Sequence, residues 1–262
     1  MTETRTIENF QRVEWKYRMT KEQQAEFMRR AADHLKEDLY FKYTVHSVYY
    51  DTMDSRLIIN SLNKPNYKMK LRLRSYGEPD GNSPVFIETK KKYGDIVYKR
   101  RITLGEKEAE NYLEYGIPHH VHNNTADEID YILKYYNPSA KVLICYDREC
   151  YSSTTEADVR ITFDSNIRYR IHDVNLHEDG SEEKLDDDGM VMMEVKAMDR
   201  YPMWLVRILS DMKLYRTSFS KYGNIYRSNF EEMSPVSEPD QTVRKRTSEK
   251  ERYVCSLPSL TH

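Results

Sequence analysis

The stretch Tyr67–Tyr76, YKMKLRLRSY, together with Ser83–Lys92, SPVFIETKKK, decides how this chain is read. The turn-forming residues GEPDGN at 77–82 lie between them, so the two runs read as a hairpin. Side chains alternate faces along a strand. The first run therefore places Lys68, Lys70, Arg72 and Arg74 on one face and Met69, Leu71 and Leu73 on the other. The return run sets Phe86, Glu88, Lys90 and Lys92 opposite Val85 and Ile87.

The same split recurs along the chain. RVEWKY sets Arg12, Glu14 and Lys16 against Val13, Trp15 and Tyr17. DVRITFDS sets Arg160, Thr162 and Asp164 against Val159, Ile161 and Phe163, and MVMMEVKA sets Glu194 and Lys196 against Val195 and Ala197. TVHSVYYDT, DIVYKRRITL and KVLICYDRECYS read as further strands.

Four helices are expected. The first follows Thr20, with Gln23 completing a capping box. The second runs from Glu106 to Tyr115 and closes at Gly116. The third carries Ile129, Ile132, Leu133 and Tyr136, and the fourth starts at Pro202 and aligns Leu205, Ile208, Leu209 and Met212. About eight strands against four helices give an α+β fold dominated by antiparallel sheet. Residues 1–233 read as one domain, and 234–262, rich in Pro, Ser and charge, as a flexible tail.

The chain has 262 residues, 32% charged and 39% hydrophobic, with a net charge of -2. Its mean hydropathy of -0.85 is low, yet 22 Tyr and 7 Phe exclude a disordered chain. With so small a net charge, an anion site must come from where the bases sit rather than from their number. The cysteines Cys145, Cys150 and Cys255 form no CxxC pair, which points to a reduced, cytoplasmic setting. No signal-peptide core or membrane-length apolar run is present in the sequence.

A half-exposed sheet with its polar face in water is the ordinary explanation of such alternation. Here the polar faces are almost wholly charged and strongly basic. Rows of like charge repel, a cost that makes sense if an anion fills the groove. Closing the strands into a barrel would gather these faces into a wet, positive interior suited to a phosphate chain and too narrow for duplex nucleic acid.

RVEWKY, SVYYDT, KMKLRLRSYG, FIETKKK, VYKRRITL, YDREC, VRITFDSNI, MEVKAMDRYPMWL and TSFSKYG occur in the order seen in VTC-type polyphosphate polymerase domains, which the chain resembles from about Arg12 to Tyr226. That family sits in the triphosphate tunnel metalloenzyme, or CYTH-like, superfamily. The resemblance implies a closed eight-stranded antiparallel barrel, with flanking helices, around a triphosphate. It implies transfer of the γ-phosphate of ATP to inorganic polyphosphate, with Mn²⁺ or Mg²⁺ as cofactor. By motif, Arg72, Arg74, Lys90, Arg148, Arg160 and Lys221 are the catalytic cations, with Lys16 and Tyr146 on the phosphates. Lys70, Lys99, Arg101 and Lys196 join the phosphate-binding set by strand phase. Glu194 of MEVK is the implied metal ligand, with Glu14 and Glu88 as accessory ligands or salt-bridge partners.

The chain departs from the pattern in places. The superfamily's E-x-E-x-K motif stands here as Arg12, Glu14, Lys16, which weakens a two-metal hydrolytic reading. Ser218, counted with the phosphate-binding set, occupies a position where some relatives carry Lys. The regulatory and membrane segments of eukaryotic relatives have no counterpart in this sequence. Asp164 is expected to fix Arg160 or a turn, Asp51 to be structural, and His119, His120 and His122 to be solvated. The histidines show no H-x₃-H spacing for zinc. Two alternatives remain open: a tunnel triphosphatase, and a non-catalytic module that binds polyphosphate or nucleotide.

Overall fold

The computed structural model describes residues 12–63, 65–94, 96–156, 158–185, 189–198 and 200–233, with side chains from Glu14 onward. The Arg12 side chain, Cys255 and the tail at 234–262 lie outside the described residues.

The strands are β1 (Arg12–Met19), β2 (Leu35–Asp51), β3 (Tyr67–Tyr76), β4 (Pro84–Tyr93), β5 (Ile96–Gly105), β6 (Ser139–Ser153), β7 (Arg160–Arg170), β8 (Glu183–Lys184), β9 (Val191–Met198) and β10 (Arg216–Thr217). The helices are α1 (Lys21–Ala31), α2 (Arg56–Leu62), α3 (Glu106–Tyr115), α4 (Asn124–Tyr136), α5 (Met203–Asp211), α6 (Lys221–Ser228) and α7 (Phe230–Met233). All strand pairs are antiparallel, in the order β10-β1-β9-β7-β6-β2-β3-β4-β5, with β8 beside β7.

The α+β class and the eight long strands stand as read from the sequence. The closed eight-stranded barrel does not. Among the described residues the sheet has ten strands, two of them two residues long, and β5 and β10 are its free edges. Lys99, Arg100 and Arg101 are exposed on β5, and charge on an edge strand disfavours pairing.

The sheet nevertheless curls. β1 and β3 are separated by β9, β7, β6 and β2, yet Lys16 of β1 and Lys70 of β3 meet adjacent residues. Lys16 Nζ donates to the Phe219 carbonyl at 3.0 Å, and Lys70 Nζ to Ser220 Oγ at 2.9 Å. Lys90 of β4 lies 3.9 Å from Glu14 of β1. Side chains, rather than a backbone ladder, bridge the gap.

Three apolar clusters hold this trough. Leu71, Leu73, Val85, Ile87 and Ile102 pack with Ala109, Tyr112, Ile129 and Ile132 of α3 and α4. Ile161, Phe163, Met193 and Val195 pack with Phe27 of α1 and Leu205 and Ile208 of α5. These are the apolar faces read from the alternation, and each fully buried side chain stabilises the fold by about 1.5–3 kcal/mol. The third cluster, Val45, Ile144, Tyr146, Ile167, Tyr222, Ile225 and Tyr226, lies on the other face of the sheet, where α2, α6 and α7 fill part of the trough.

The capping box forms as expected at α1: Thr20 Oγ1 accepts from the Gln23 amide, and Gln23 Oε1 from the Thr20 amide. Asp51 anchors α2, accepting from the amides of Thr52, Leu57 and Ile58 and from the Tyr222 hydroxyl. Gly223 permits the approach of α6 to α2, because a Cβ there would stand 2.9 Å from Leu62 Cδ2.

Candidate functional site: a cation-lined groove

The charged faces of β1, β9, β6, β3, β4 and β5 converge in the trough, and α6 adds Lys221. On β3 and β4, Arg72 donates to Glu88 Oε2 through Nε (2.9 Å) and Nη2 (2.6 Å), and to the Tyr49 hydroxyl at 3.0 Å. Arg74 donates to Ser47 Oγ at 3.1 Å and to the Tyr146 hydroxyl at 3.4 Å. Lys99 approaches Glu88 Oε1 at 2.8 Å. Glu88 is buried; desolvation opposes its charge, but Arg72, Arg74 and Lys99 outweigh this and hold its pKa at about 2. Both of its oxygens thus face cations, the arrangement of a counter-ion.

On β6 and β7, Arg148 grips Asp164 with two hydrogen bonds of 2.6 and 2.8 Å. Lys221 Nζ donates to Asp164 Oδ2 at 2.5 Å and sits 4.0 Å from the centre of the Tyr146 ring. The Arg148 guanidinium lies 5.1 Å from the same ring. Tyr146 is therefore a cation–π platform for two bases. Asp164 fixes Arg148 and Lys221, not Arg160. Arg160 reaches Asp38 of β2 at 2.9 Å and is exposed at the end of its strand, across from Lys196 in register. The longer reach of β2, beginning at Leu35, brings in this partner, and the TVHSVYYDT pattern gave no sign of it.

Glu194 stands where β1 and β9 meet, opposite Lys16 in register. Lys196 lies 2.7 Å from one of its oxygens and Lys16 lies 3.9 Å from the other. Burial raises its pKa, but Lys196, Lys16 and Arg148 together bring it to about 2, so it is ionised at neutral pH. Glu14, on the same face, is exposed beside Lys90. Arg101 is exposed and stacks 4.6 Å from the Phe86 ring centre.

The 216–221 segment spans the groove. A cavity of about 490 Å³ is lined by Glu14, Lys16, Arg216, Thr217, Ser218 and Phe219. A second, of about 320 Å³, also touches Phe219 and is lined by Arg18, Lys21, Asn166, Lys184 and others. Ser218 thus lines the first of these cavities.

Crowded cations perturb one another. Burial, with Lys16, Lys90 and Arg72 nearby, lowers the Lys70 pKa to about 8 despite the opposing effect of Tyr49. Burial raises the pKa of the Tyr49 phenol, but Arg72, Lys70 and Arg74 bring it down to about 7. Sequence reasoning missed Tyr49, Ser47 and Ser220. Strand phase places Ser47 and Tyr49 on the groove face, but this part of β2 is largely apolar on both faces, so alternation carries little signal there.

The family model described as the VTC domain matches residues 11–230. The chain belongs to the VTC domain family. No curated protein matches this VTC domain. Among solved structures, it superposes on a candidate adenylate cyclase from Bacillus halodurans with a TM-score of 0.50 and 14% identity, covering 80% of this chain and 95% of the other. A candidate adenylate cyclase from Vibrio parahaemolyticus gives a TM-score of 0.43 at 14% identity, covering 82% and 97%. The PH1819 protein from Pyrococcus horikoshii gives 0.42 at 13%, covering 83% and 99%. At such identities the first likeness speaks for the fold alone, and the other two carry no argument. No helix among the described residues is long and apolar enough to cross a membrane.

Proposed function

We propose that this VTC domain is an ATP–polyphosphate phosphotransferase that extends inorganic polyphosphate inside the groove. The observation that carries this reading is the convergence of Lys16, Lys70, Arg72, Arg74, Lys90, Arg148 and Lys221 on one groove. Burial first, and then the repulsion of Lys16, Lys90 and Arg72, already lower the pKa of Lys70 there. A phosphate chain relieves that repulsion along its whole length, which a single small anion does not.

Glu194 would hold a hard divalent cation by exchanging it for Lys196 and Lys16, the cations that now face its two oxygens. It is an ionised oxygen donor with no second carboxylate bound to it, and Mg²⁺ or Mn²⁺ is commonly held by one or two carboxylates together with substrate phosphates. Such a cation, when bound, neutralises charge that develops as the β–γ bond breaks. The side chains do the rest. Arg72, Arg74 and Arg148 hold phosphate oxygens with planar forks, and Lys90 and Lys16 act as point charges. Lys221, placed by Asp164 and Tyr146, orients the terminal phosphate of the acceptor chain. An oxygen of that phosphate attacks the γ-phosphorus, the bond to the β-phosphate oxygen breaks, and ADP leaves. The attacking oxygen is already anionic, so no general base is required. On this reading 1–233 carries the activity in the cytoplasm, where ATP is at hand, and 234–262 is dispensable.

The balance of products tests the reaction. Transfer to polymer gives ADP without a matching amount of orthophosphate. Equal amounts of ADP and orthophosphate would instead mark a triphosphatase, and binding without ADP release a non-catalytic module.

A further inference from the structure

We propose that the face of the sheet opposite the groove carries a zinc site made by His46, Cys145 and Glu178. His46 and Cys145 are directly paired across β2 and β6, and their side chains point away from the groove. Glu178 comes from the loop between β7 and β8 and reaches His46 Nε2 at 3.0 Å. One ligand atom from each residue lies within 4.8 Å of the others, and His46 and Cys145 are buried. Imidazole, thiolate and carboxylate are all zinc ligands, and their combination suits that ion better than Mg²⁺ or Mn²⁺.

A second observation points the same way. His46 is only 1% exposed, and its Nδ1 has no hydrogen-bond partner. That nitrogen lies 3.8 Å from Glu78 Oε2, in the β3–β4 turn. With Nε2 on a metal, Nδ1–H needs only a small shift to donate to Glu78, completing a carboxylate–histidine–metal relay. His177 holds Glu78 in turn, at 3.3 Å. Arg168 pins Glu178 through both carboxylate oxygens, fixing the donor while leaving lone pairs free. Without a cation, burial and the nearby Glu178, Glu182 and Glu78 keep Cys145 a neutral thiol. Zinc would bring the thiolate, the acids and the 171–182 loop together, leaving one coordination position for water. The site is separate from Glu194.

Cobalt substitution of the full chain tests this, because a thiolate bound to Co²⁺ gives a near-ultraviolet charge-transfer band that an all-oxygen site cannot give. The wild type should show that band at one equivalent of Co²⁺, lose it to excess Zn²⁺, and show a higher Tm with Zn²⁺ that a chelator reverses. Cys145→Ser and Glu178→Gln should abolish the band and the Tm shift, while Cys150→Ser should keep both. Glu178→Gln keeps a partner for Arg168, which guards against loss of folding. No band in the wild type, or a band that survives Cys145→Ser, overturns the proposal.

Discussion

Replacing Asp164 with Asn separates the groove's internal wiring from its affinity for anions. Asp164 is 1% exposed and neutralises Arg148 and Lys221 together, through contacts of 2.5–2.8 Å. Removing one partner of a buried pair costs about 3–5 kcal/mol. The Arg148 and Lys221 side chains keep 14% and 15% exposure, so water recovers part of this; a loss of about 3 kcal/mol is expected. For a domain of this size that lowers Tm by roughly 6–12 °C. Burial raises the Asp164 pKa, but Lys221 and Arg148 outweigh it and hold the carboxyl well below the ordinary value. Its contribution is therefore present throughout the neutral range and lost only as pH falls through that depressed value. The deficit should thus not vary with pH near neutrality. Tripolyphosphate supplies the missing counter-charge, so it should raise the Tm of Asp164→Asn more than that of the wild type. Thermal unfolding with and without tripolyphosphate reads both effects. A Tm drop under about 2 °C, or an equal ligand shift in both proteins, would show that Asp164 is not the counter-ion of Arg148 and Lys221.

Further outcomes follow from other contacts. Polyanions bind the ammonium form of Lys70, so tripolyphosphate affinity by calorimetry should fall as pH rises through about 8, and Lys70→Arg should flatten that fall. Tyr49 ionises near 7 and acts in the same direction, so Tyr49→Phe should remove the lower part of the decline and the phenolate absorbance that accompanies it. Asp51→Ala strands the amides of Leu57 and Ile58 and the Tyr222 hydroxyl, and should cost about 3 kcal/mol or more in urea unfolding. Lys221→Ala should cut polymer synthesis at least tenfold while the fold, read by Tm, survives.

The sheet was largely legible because alternation is a local signal. Met69, Leu71 and Leu73 are buried, and Arg72 and Arg74 face the groove, as period two requires. Closure was not legible: whether β5 meets β1 depends on curvature accumulated across strands far apart in sequence, and a hydropathy pattern does not contain it. Helix α6 was hidden by its short length and by Gly223, whose value lies in its closeness to Leu62. The basic side of the groove was visible in Lys70, Arg72 and Arg74, and Glu88 was readable as a salt-bridge partner for those bases, but the partners of Asp164 were not. Asp164 shares a strand face with Arg160, which made that pairing the natural expectation; the cross-strand register to Arg148 decides otherwise. The His46–Cys145–Glu178 cluster has no sequence spacing to betray it, because sheet pairing and a loop assemble it.

Whether the groove builds polymer is read in its products. Incubating the protein with ATP and Mn²⁺ and resolving the products on a polyacrylamide gel tests it most directly. A ladder of long phosphate chains, lost in Glu194→Gln and retained when 234–262 is removed, is the expected result. Orthophosphate with no ladder, from a protein that consumes ATP, would contradict it.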